Sequence, residues 1–265
     1  MKLFTKTLLA TGLLTAASAQ AATVSLTVYD DADAGYTSFN TSLFKTVAYE
    51  DFNGLGDGQI LDHNGDGKTE HQDSWEARSS SFSTNVGTFT LNEAGQSGDN
   101  YFRDELMIES NVTGEFGREE LADDFASEEV ASEKDFWLDS NDAKKVTWEF
   151  GDFVDPESES FNAIGFFLAD AVDQGAKLTL KFDDGTEDII DLDSLATEDN
   201  ANLKFVSITS DMNINGGSLI FDNSTGSDGW GIDKVTLGKL PEPGTLLLMG
   251  LGLLGLGAAR RRAAK

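Results

Sequence analysis

The apolar residues of this 265-residue chain mostly fall in short runs in which every second residue is polar. Alternation with a period of two places one side of an extended segment in a core and the other side in solvent, so each run predicts a half-buried β-strand. The clearest runs are 24–28, 87–91, 145–150, 176–182 and 204–208. Residues 164–168 (IGFFL) are more continuously apolar and predict a strand that is buried on both faces.

Turn-forming dipeptides separate these runs. Asp-Gly or Asn-Gly pairs begin at positions 57, 66, 184, 215 and 228. The segment 183–186 (DDGT) lies between two alternating runs and predicts a β-hairpin. Many short strands together with 27 glycines indicate an all-β fold, an antiparallel β-sandwich or jelly roll.

One stretch departs from the strand pattern. Within 118–130, Leu121, Phe125, Ala126 and Val130 have the spacing of an apolar stripe on a helix, which predicts a short helical insertion. No Pro/Ser-rich linker and no repeat of fixed period divides the segment 23–240. We therefore expect this segment to form one domain.

Charge and cysteine content exclude several classes of function. The chain has 19 basic and 47 acidic residues, for a net charge of −28, and 13 of the basic and 46 of the acidic residues lie in 23–240, which therefore carries −33. Such a field repels phosphate backbones, so we expect no nucleic-acid partner. The absence of cysteine excludes disulfides, thiolate zinc sites and a cysteine nucleophile.

The first 22 residues have the layout of a secretory signal peptide. Lys2 and Lys6 precede a short apolar run around residues 8–14, and small residues follow, including Ala21 and Ala22. The order of these three zones favours a signal peptide over an N-terminal helix of the fold. We expect cleavage after Ala21 or Ala22 and export from the cytoplasm.

The last 25 residues, 241–265, also form a recognisable segment. Pro241, Glu242 and Pro243 precede an apolar stretch over 245–259, and three arginines follow it: Arg260, Arg261 and Arg262. Fifteen helical residues reach about 22 Å, a minimal membrane span. The arginines are expected to stay on the cytoplasmic side, which leaves the acidic domain outside.

This tail closely resembles the PEP-CTERM sorting signal of Gram-negative bacteria. The resemblance implies that Pro241, Glu242 and Pro243 are recognised by an exosortase, an integral-membrane protease that removes the tail, and that the protein accompanies exopolysaccharide and biofilm production. A plain single-span anchor is the alternative.

The rest of the chain also shows a resemblance. Segments 49–52, 85–89, 137–142, 162–168 and 229–235 resemble an abundant type of exported PEP-CTERM protein, which generally has no assigned biochemical activity.

A calcium loop is the sharpest local prediction. Residues 62–73 match a twelve-position loop whose ligand positions are filled by Asp62, Asn64, Asp66, Lys68, Glu70 and Asp73, where Lys68 would bind through its carbonyl oxygen. Gly67 stands at the sharp turn, and Asp73 replaces the usual terminal Glu, as in dockerin repeats. The alternative is a solvated turn rich in Asp, Asn and Gly. His63 and His71 are expected to be passengers on this loop, because zinc would require a third nearby ligand.

A weaker metal hypothesis joins Glu50 and Asp51 with Asp233. Acids near the first and last strands of sugar-binding jelly rolls often meet at one structural calcium ion, whereas solvated acids at strand ends are the alternative. Exposed Trp75, Trp137, Trp148 or Trp230 could stack on sugars, although alternation favours core positions for Trp148 and Trp230.

No sequence motif identifies a catalytic site. Nucleophile elbows, paired zinc histidines, P-loops and dinucleotide fingerprints are absent from the sequence. We therefore expect a non-enzymatic, calcium-stabilised structural or adhesive protein at the cell surface or outside the cell, held transiently in the inner membrane. A carbohydrate-binding module or glycoside hydrolase acting on matrix exopolysaccharide is the alternative, since 46 acids allow many carboxylate pairs.

Overall fold

A computed structural model describes residues 22–55, 75–95, 105–110, 136–140, 143–150, 160–169, 175–182, 184–191, 203–222 and 230–241. These residues form one α-helix and a 13-stranded antiparallel sheet. The elements are β1 (Val24–Tyr29), α1 (Ala32–Ser42), β2 (Lys45–Glu50), β3 (Trp75–Ser79), β4 (Ser81–Thr84), β5 (Gly87–Glu93), β6 (Leu106–Ser110), β7 (Phe136–Asp139), β8 (Lys145–Phe150), β9 (Phe161–Ala169), β10 (Gly175–Phe182), β11 (Glu187–Asp191), β12 (Leu203–Asp222) and β13 (Gly231–Lys239). The predicted all-β class is confirmed.

The 20-residue strand β12 connects the two parts of the sheet. Its first half pairs with β1 on one side and β9 on the other, whereas its second half pairs with β10 and β8. Beyond β9 the sheet continues through β13 to β7 and β2, and beyond β8 it continues to β5 and β4. Side chains from both parts, such as Trp148 and Ile164, belong to one main core.

Strand β9 is buried along its whole length, as the sequence predicted. Its inner face contributes Ile164, Phe166 and Leu168 to the main core. Its outer face belongs to a second cluster that contains Phe167 and residues of α1. Helix α1 therefore covers the face that would otherwise be in solvent, which explains the continuous apolar run.

Helix α1 was not predicted from the sequence. Asp31 caps it by accepting a hydrogen bond from the backbone N–H of Ala34 at 2.9 Å. Ala32, Gly35 and Phe39 are its buried residues, at the spacing of a helical stripe. The predicted helical insertion at 118–130 lies outside the described residues.

The β10–β11 hairpin is confirmed, with Gly185 at φ +82° in its turn. The Asn-Gly signal at 215 is wrong as a turn, because both residues lie within β12. Lys181 pairs with Gly216 and Phe182 pairs with Ile214, so Asn215 is the extra residue of a β-bulge. Among the described residues, no helix has the length and apolar character that a membrane span requires.

Candidate functional site

The described chain passes from its last strand into the sorting segment with one residue between them. Strand β13 ends at Lys239, and Pro241 follows Leu240 directly. The backbone N–H of Leu240 donates to Oδ1 of Asn162 at 2.6 Å, and the N–H of Phe44 donates to the carbonyl of Lys239 at 2.7 Å. Leu240 also packs against the cluster beneath α1. The fold therefore holds the chain firmly up to Leu240, the residue before Pro241.

Glu50 fixes the turn after β2. It is 5% exposed, and its Oε1 and Oε2 accept hydrogen bonds from the backbone N–H groups of Phe52 at 2.8 Å and Asn85 at 2.9 Å. Phe52 has a φ of +56°, a left-handed conformation that is unfavourable for an aromatic residue, and its ring is fully buried against Phe89. Glu50 thus holds a strained turn and ties it to the β4–β5 hairpin.

Asp233 is fully buried and lies on the face of the sheet opposite to Glu50. Its Oδ1 accepts from the backbone N–H of Lys234 at 2.6 Å, and its Oδ2 lies 3.7 Å from the Nζ of Lys234. Lys234 has a φ of +47° at a bulge in β13, and its Nζ is 5.6 Å from the centre of the Phe167 ring. The bulge turns this lysine back over the acid and the aromatic ring.

Tyr49 lies beside the same acid. Tyr49 is 37% exposed, and the burial of the rest of its side chain raises its pKa above the ordinary value of 10.0; the neighbouring Tyr36, Asp233 and Asp51 raise this pKa further. The hydroxyl groups of Tyr49 and Tyr36 are hydrogen-bonded, which joins β2 to α1. The phenol of Tyr49 is therefore held in its neutral form beside two carboxylates.

The sheet register separates two of the three acids in the weaker metal hypothesis. Glu50 pairs with Val235, a core residue, whereas Asp233 pairs with Phe167, which belongs to the cluster on the helix side. Paired residues share a face, so Glu50 and Asp233 point to opposite sides of the sheet. Within the described ranges, no group of three or more His, Asp or Glu residues is placed to hold a metal ion. The expected meeting of Glu50, Asp51 and Asp233 at one ion is therefore corrected.

Two further buried acids lie on the helix side of the sheet. Glu109 of β6 is 1% exposed and pairs with Trp137 of β7. Asp139 lies two residues after Trp137 on β7 and is fully buried. Glu109 and Asp139 therefore lie on the same face of the sheet as Trp137. Neither Glu109 nor Asp139 was predictable as a site residue, because nothing in the sequence distinguishes them from the other acids among the 46 of the domain.

The tryptophans whose side chains are described do not offer a sugar-stacking surface. Trp148 and Trp230 are fully buried, as alternation favoured, and Trp137 is only 2% exposed, which corrects the expectation that its ring is available to a sugar. Trp148 stacks on Phe89 at 5.3 Å, and Trp230 stacks on Phe221 at 4.0 Å. These three rings stabilise the core.

A polar cleft of about 390 Å³ lies on the outer face of β5, β8, β10 and β12. Thr88, Glu149 and Ser218 are adjacent in register across three of these strands, with Lys181 and the bulge residue Asn215 beside them. Thr88, Glu149 and Lys181 alternate with core residues in the predicted strands, so the period of two predicted that these three side chains face outward, whereas Asn215 was predicted to lie in a turn. Their convergence depends on strand order and on the bulge, which the sequence did not reveal.

The remaining predicted site residues lie outside the described residues. These are the calcium-loop positions Asp62, Asn64, Asp66, Lys68, Glu70 and Asp73, and the tail residues Glu242, Pro243, Arg260, Arg261 and Arg262. Most of the predicted signal peptide, residues 1–21, lies outside them as well. These assignments remain predictions from the sequence.

Comparison with known proteins identifies the C-terminal segment. Residues 240–262 match the PEP-CTERM protein-sorting motif, as the sequence predicted. This motif implies processing by an exosortase and export to the cell envelope or surface. No curated protein is similar enough to the chain to count as a relative.

Among solved structures, the chain is similar to the enzymatically active domain of tailspike protein 4 from bacteriophage CBA120, at 15% sequence identity. The alignment covers 66% of this chain but only 20% of the tailspike chain, with a TM-score of 0.26. A likeness this weak carries no argument about function.

Proposed function

We propose that this PEP-CTERM chain is an exported precursor whose acidic β-domain becomes a structural or adhesive component of the cell surface or extracellular matrix. The signal peptide directs export, residues 245–259 hold the precursor in the inner membrane of a Gram-negative bacterium, and the exosortase removes the tail. The released domain then works without catalytic chemistry among extracellular polysaccharides.

The observation that carries this proposal is that every described strand ends before Pro241. Strand β13 lies between β9 and its other neighbours β7 and β2, and all its described pairings end at Lys239. Removal of the chain beyond the motif takes away no described strand. A folded domain that ends one residue before Pro241 is therefore suited to release by cleavage.

Calcium is the proposed stabilising ion of this domain. The loop 62–73 has oxygen donors at the spacing that calcium requires. A domain with a charge of −33 gains from a bound divalent cation, because self-repulsion destabilises a compact acidic chain.

Processing is tested by intact mass of the protein from its native host. We expect the mature form to lack both the N-terminal segment and the residues after the motif, and Glu242→Ala to retain its C-terminus. Glu187→Ala, an exposed acid on β11, is the matched control and should be processed normally. A wild-type protein that keeps its C-terminus would show that the tail is an anchor instead of a sorting signal.

Polysaccharide binding is a second candidate function, and the polar cleft favours it. Glu149, Lys181, Asn215 and Ser218 offer hydrogen-bond donors and acceptors in a concave surface large enough for a sugar unit. We expect pull-down on the host exopolysaccharide to be lost in Glu149→Gln and Asn215→Ala, and to be kept in Glu187→Gln. Turnover of the polymer that Glu149→Gln abolishes would instead identify a glycoside hydrolase.

A further inference from the structure

The two ends of the described domain leave from the same end of the sheet. Val24 pairs with Ser210 near the start of β1, Thr209 pairs with Ala163, and Ala163 pairs with Gly238 near the end of β13. Strands β1, β12, β9 and β13 are thus consecutive neighbours at this end. At about 4.8 Å between strands, the entry into β1 and the exit from β13 are separated by only about 14 Å.

Four residues surround the point where the chain leaves the domain, and we call them the exit surface: Phe44, Lys45, Lys239 and Leu240. Phe44 is 78% exposed, and its backbone is hydrogen-bonded to Lys239. Lys45 is exposed and pairs directly with Lys239 across β2 and β13. Leu240 is half-buried and anchored by Asn162.

The charge of the exit surface is opposite to that of the domain. Only 13 basic residues occur among 23–240, yet two of them are placed directly opposite each other. Like charges directly opposite each other repel across a strand pair. The pair is complementary to an anionic surface outside the protein.

The short connection between the domain and the tail limits the distance between the exit surface and the membrane. Leu240 is fixed to the domain, and the apolar run of the tail begins at Thr245. Five residue steps of fully extended chain span at most about 18 Å. When the apolar run enters a bilayer, the exit surface is the part of the domain that must face the lipid headgroups.

We propose that the exit surface docks on anionic lipid headgroups while the tail holds the precursor in the membrane. Lys45 and Lys239 contact lipid phosphates, and the ring of Phe44 enters the interface between headgroups and acyl chains. This inference rests on the proposed export and membrane insertion of the tail. Docking places Pro241 at the membrane surface, where an integral-membrane protease acts.

The test uses spin labels on the precursor lacking residues 1–21, since all described strands and the helix lie after that segment. The chain contains no cysteine, so Phe44→Cys and Ile189→Cys each give a single labelling site. Ile189 is the matched control, because it is 68% exposed and lies on β11, at the far part of the sheet. The precursor is reconstituted into vesicles of phosphatidylethanolamine and phosphatidylglycerol.

We expect the label at 44 to be shielded from an aqueous relaxation reagent and exposed to dissolved oxygen, whereas the label at 189 remains fully aqueous. A label at 44 that is as aqueous as the label at 189 overturns the docking proposal. Co-flotation with the vesicles distinguishes a failure of tail insertion from a failure of docking. If the precursor does not float, tail insertion fails and with it the proposed function, whereas floating protein with an aqueous label at 44 refutes docking alone.

A charge series in the precursor labelled at position 44 tests the lipid contact by changing only the lysines. Each lysine near an anionic surface contributes about a fivefold preference, so Lys45→Gln with Lys239→Gln should reduce the ratio of docked to undocked label about 25-fold. Lys181→Gln, an exposed lysine of β10, should leave the ratio unchanged. An equal ratio in wild type and the double variant, or equal docking on vesicles without phosphatidylglycerol, overturns the assignment.

Discussion

The backbone N–H of Leu240 donates a hydrogen bond to Oδ1 of Asn162 at 2.6 Å, which ties the residue before Pro241 to the central strand β9. This hydrogen bond is partly buried, so loss of the Asn162 acceptor would leave the N–H of half-buried Leu240 without its partner. We expect Asn162→Ala to lower the free energy of unfolding by about 1–2 kcal/mol. Hydrogen exchange at Leu240 should accelerate, and chemical denaturation measures the stability.

Asn162→Asp is the matched control, because aspartate keeps an acceptor oxygen at the same position. Its Leu240 amide should remain protected. Equal loss of protection in both variants would mean that Leu240 is held by its packing beneath α1 and not by this hydrogen bond.

The second prediction concerns Glu50, whose carboxylate accepts two backbone N–H groups in a buried turn. Hydrogen bonds to a charged acceptor are stronger than neutral ones, so Glu50→Ala should destabilise the domain by about 3 kcal/mol or more. Asp51→Ala removes an exposed hydrogen bond, in which Oδ1 of Asp51 accepts from the N–H of Asn53 at 3.2 Å, and should lower the free energy of unfolding much less. Thermal and chemical denaturation of both variants measure the difference, and similar losses would contradict a bracing role for Glu50.

Two glycines provide a third prediction with an internal control. A Cβ atom on Gly217 would lie 2.1 Å from the carbonyl oxygen of Thr179, a backbone atom that cannot move aside, whereas a Cβ on Gly54 meets nothing within 4 Å. Gly217→Ala should therefore destabilise the domain by about 3 kcal/mol or more. Gly54→Ala should change stability by less than about 0.5 kcal/mol. Comparable denaturation midpoints for the two variants would contradict the close pairing of β10 and β12.

Alternation allowed the sequence to predict strands and the inward face of residues such as Trp148, because a period of two depends only on local geometry. The double burial of β9 was also predictable from its continuous apolar run. The element that covers the outer face of β9 was not predictable, because the apolar stripe of α1 is interrupted by Gly35 and polar residues. Asp31, three residues before Ala34, was the available signal for that helix.

The candidate sites were less predictable because they depend on register and strand order. Glu50 and Asp233 both lie near strand ends, but the pairing of Glu50 with Val235 and of Asp233 with Phe167 sends the two carboxylates to opposite faces. In the same way, Asn215 with Gly216 has turn composition but forms a bulge at the polar cleft. The motif at 240–262 was predictable because its recognition depends on linear order alone.

A fourth prediction concerns Tyr49, whose pKa is raised above 10.0 by burial and by its acidic neighbours. Above about pH 10 the unfolded chain loses this phenolic proton while the folded chain keeps it, so the folded state binds more protons and stability falls as the pH rises. Tyr49→Phe should therefore lose less thermal stability than wild type between about pH 9 and about pH 11. Parallel pH profiles for the two proteins would show that this tyrosine does not contribute to alkaline unfolding.

The last prediction tests the calcium loop at 62–73. An ion that binds only the folded state stabilises it by mass action, by about 2.7 kcal/mol at 100 times its dissociation constant. For a domain of this size that corresponds to a rise in Tm of roughly 5–10 °C. Asp66→Asn removes a charged ligand at position five of the loop and should abolish most of this rise, whereas Asp233→Asn should keep it, because Asp233 lies outside the loop. A calcium-dependent rise in Tm that is equal in wild type and Asp66→Asn would place the ion elsewhere in the domain, and no rise in wild type would remove calcium from the proposed function.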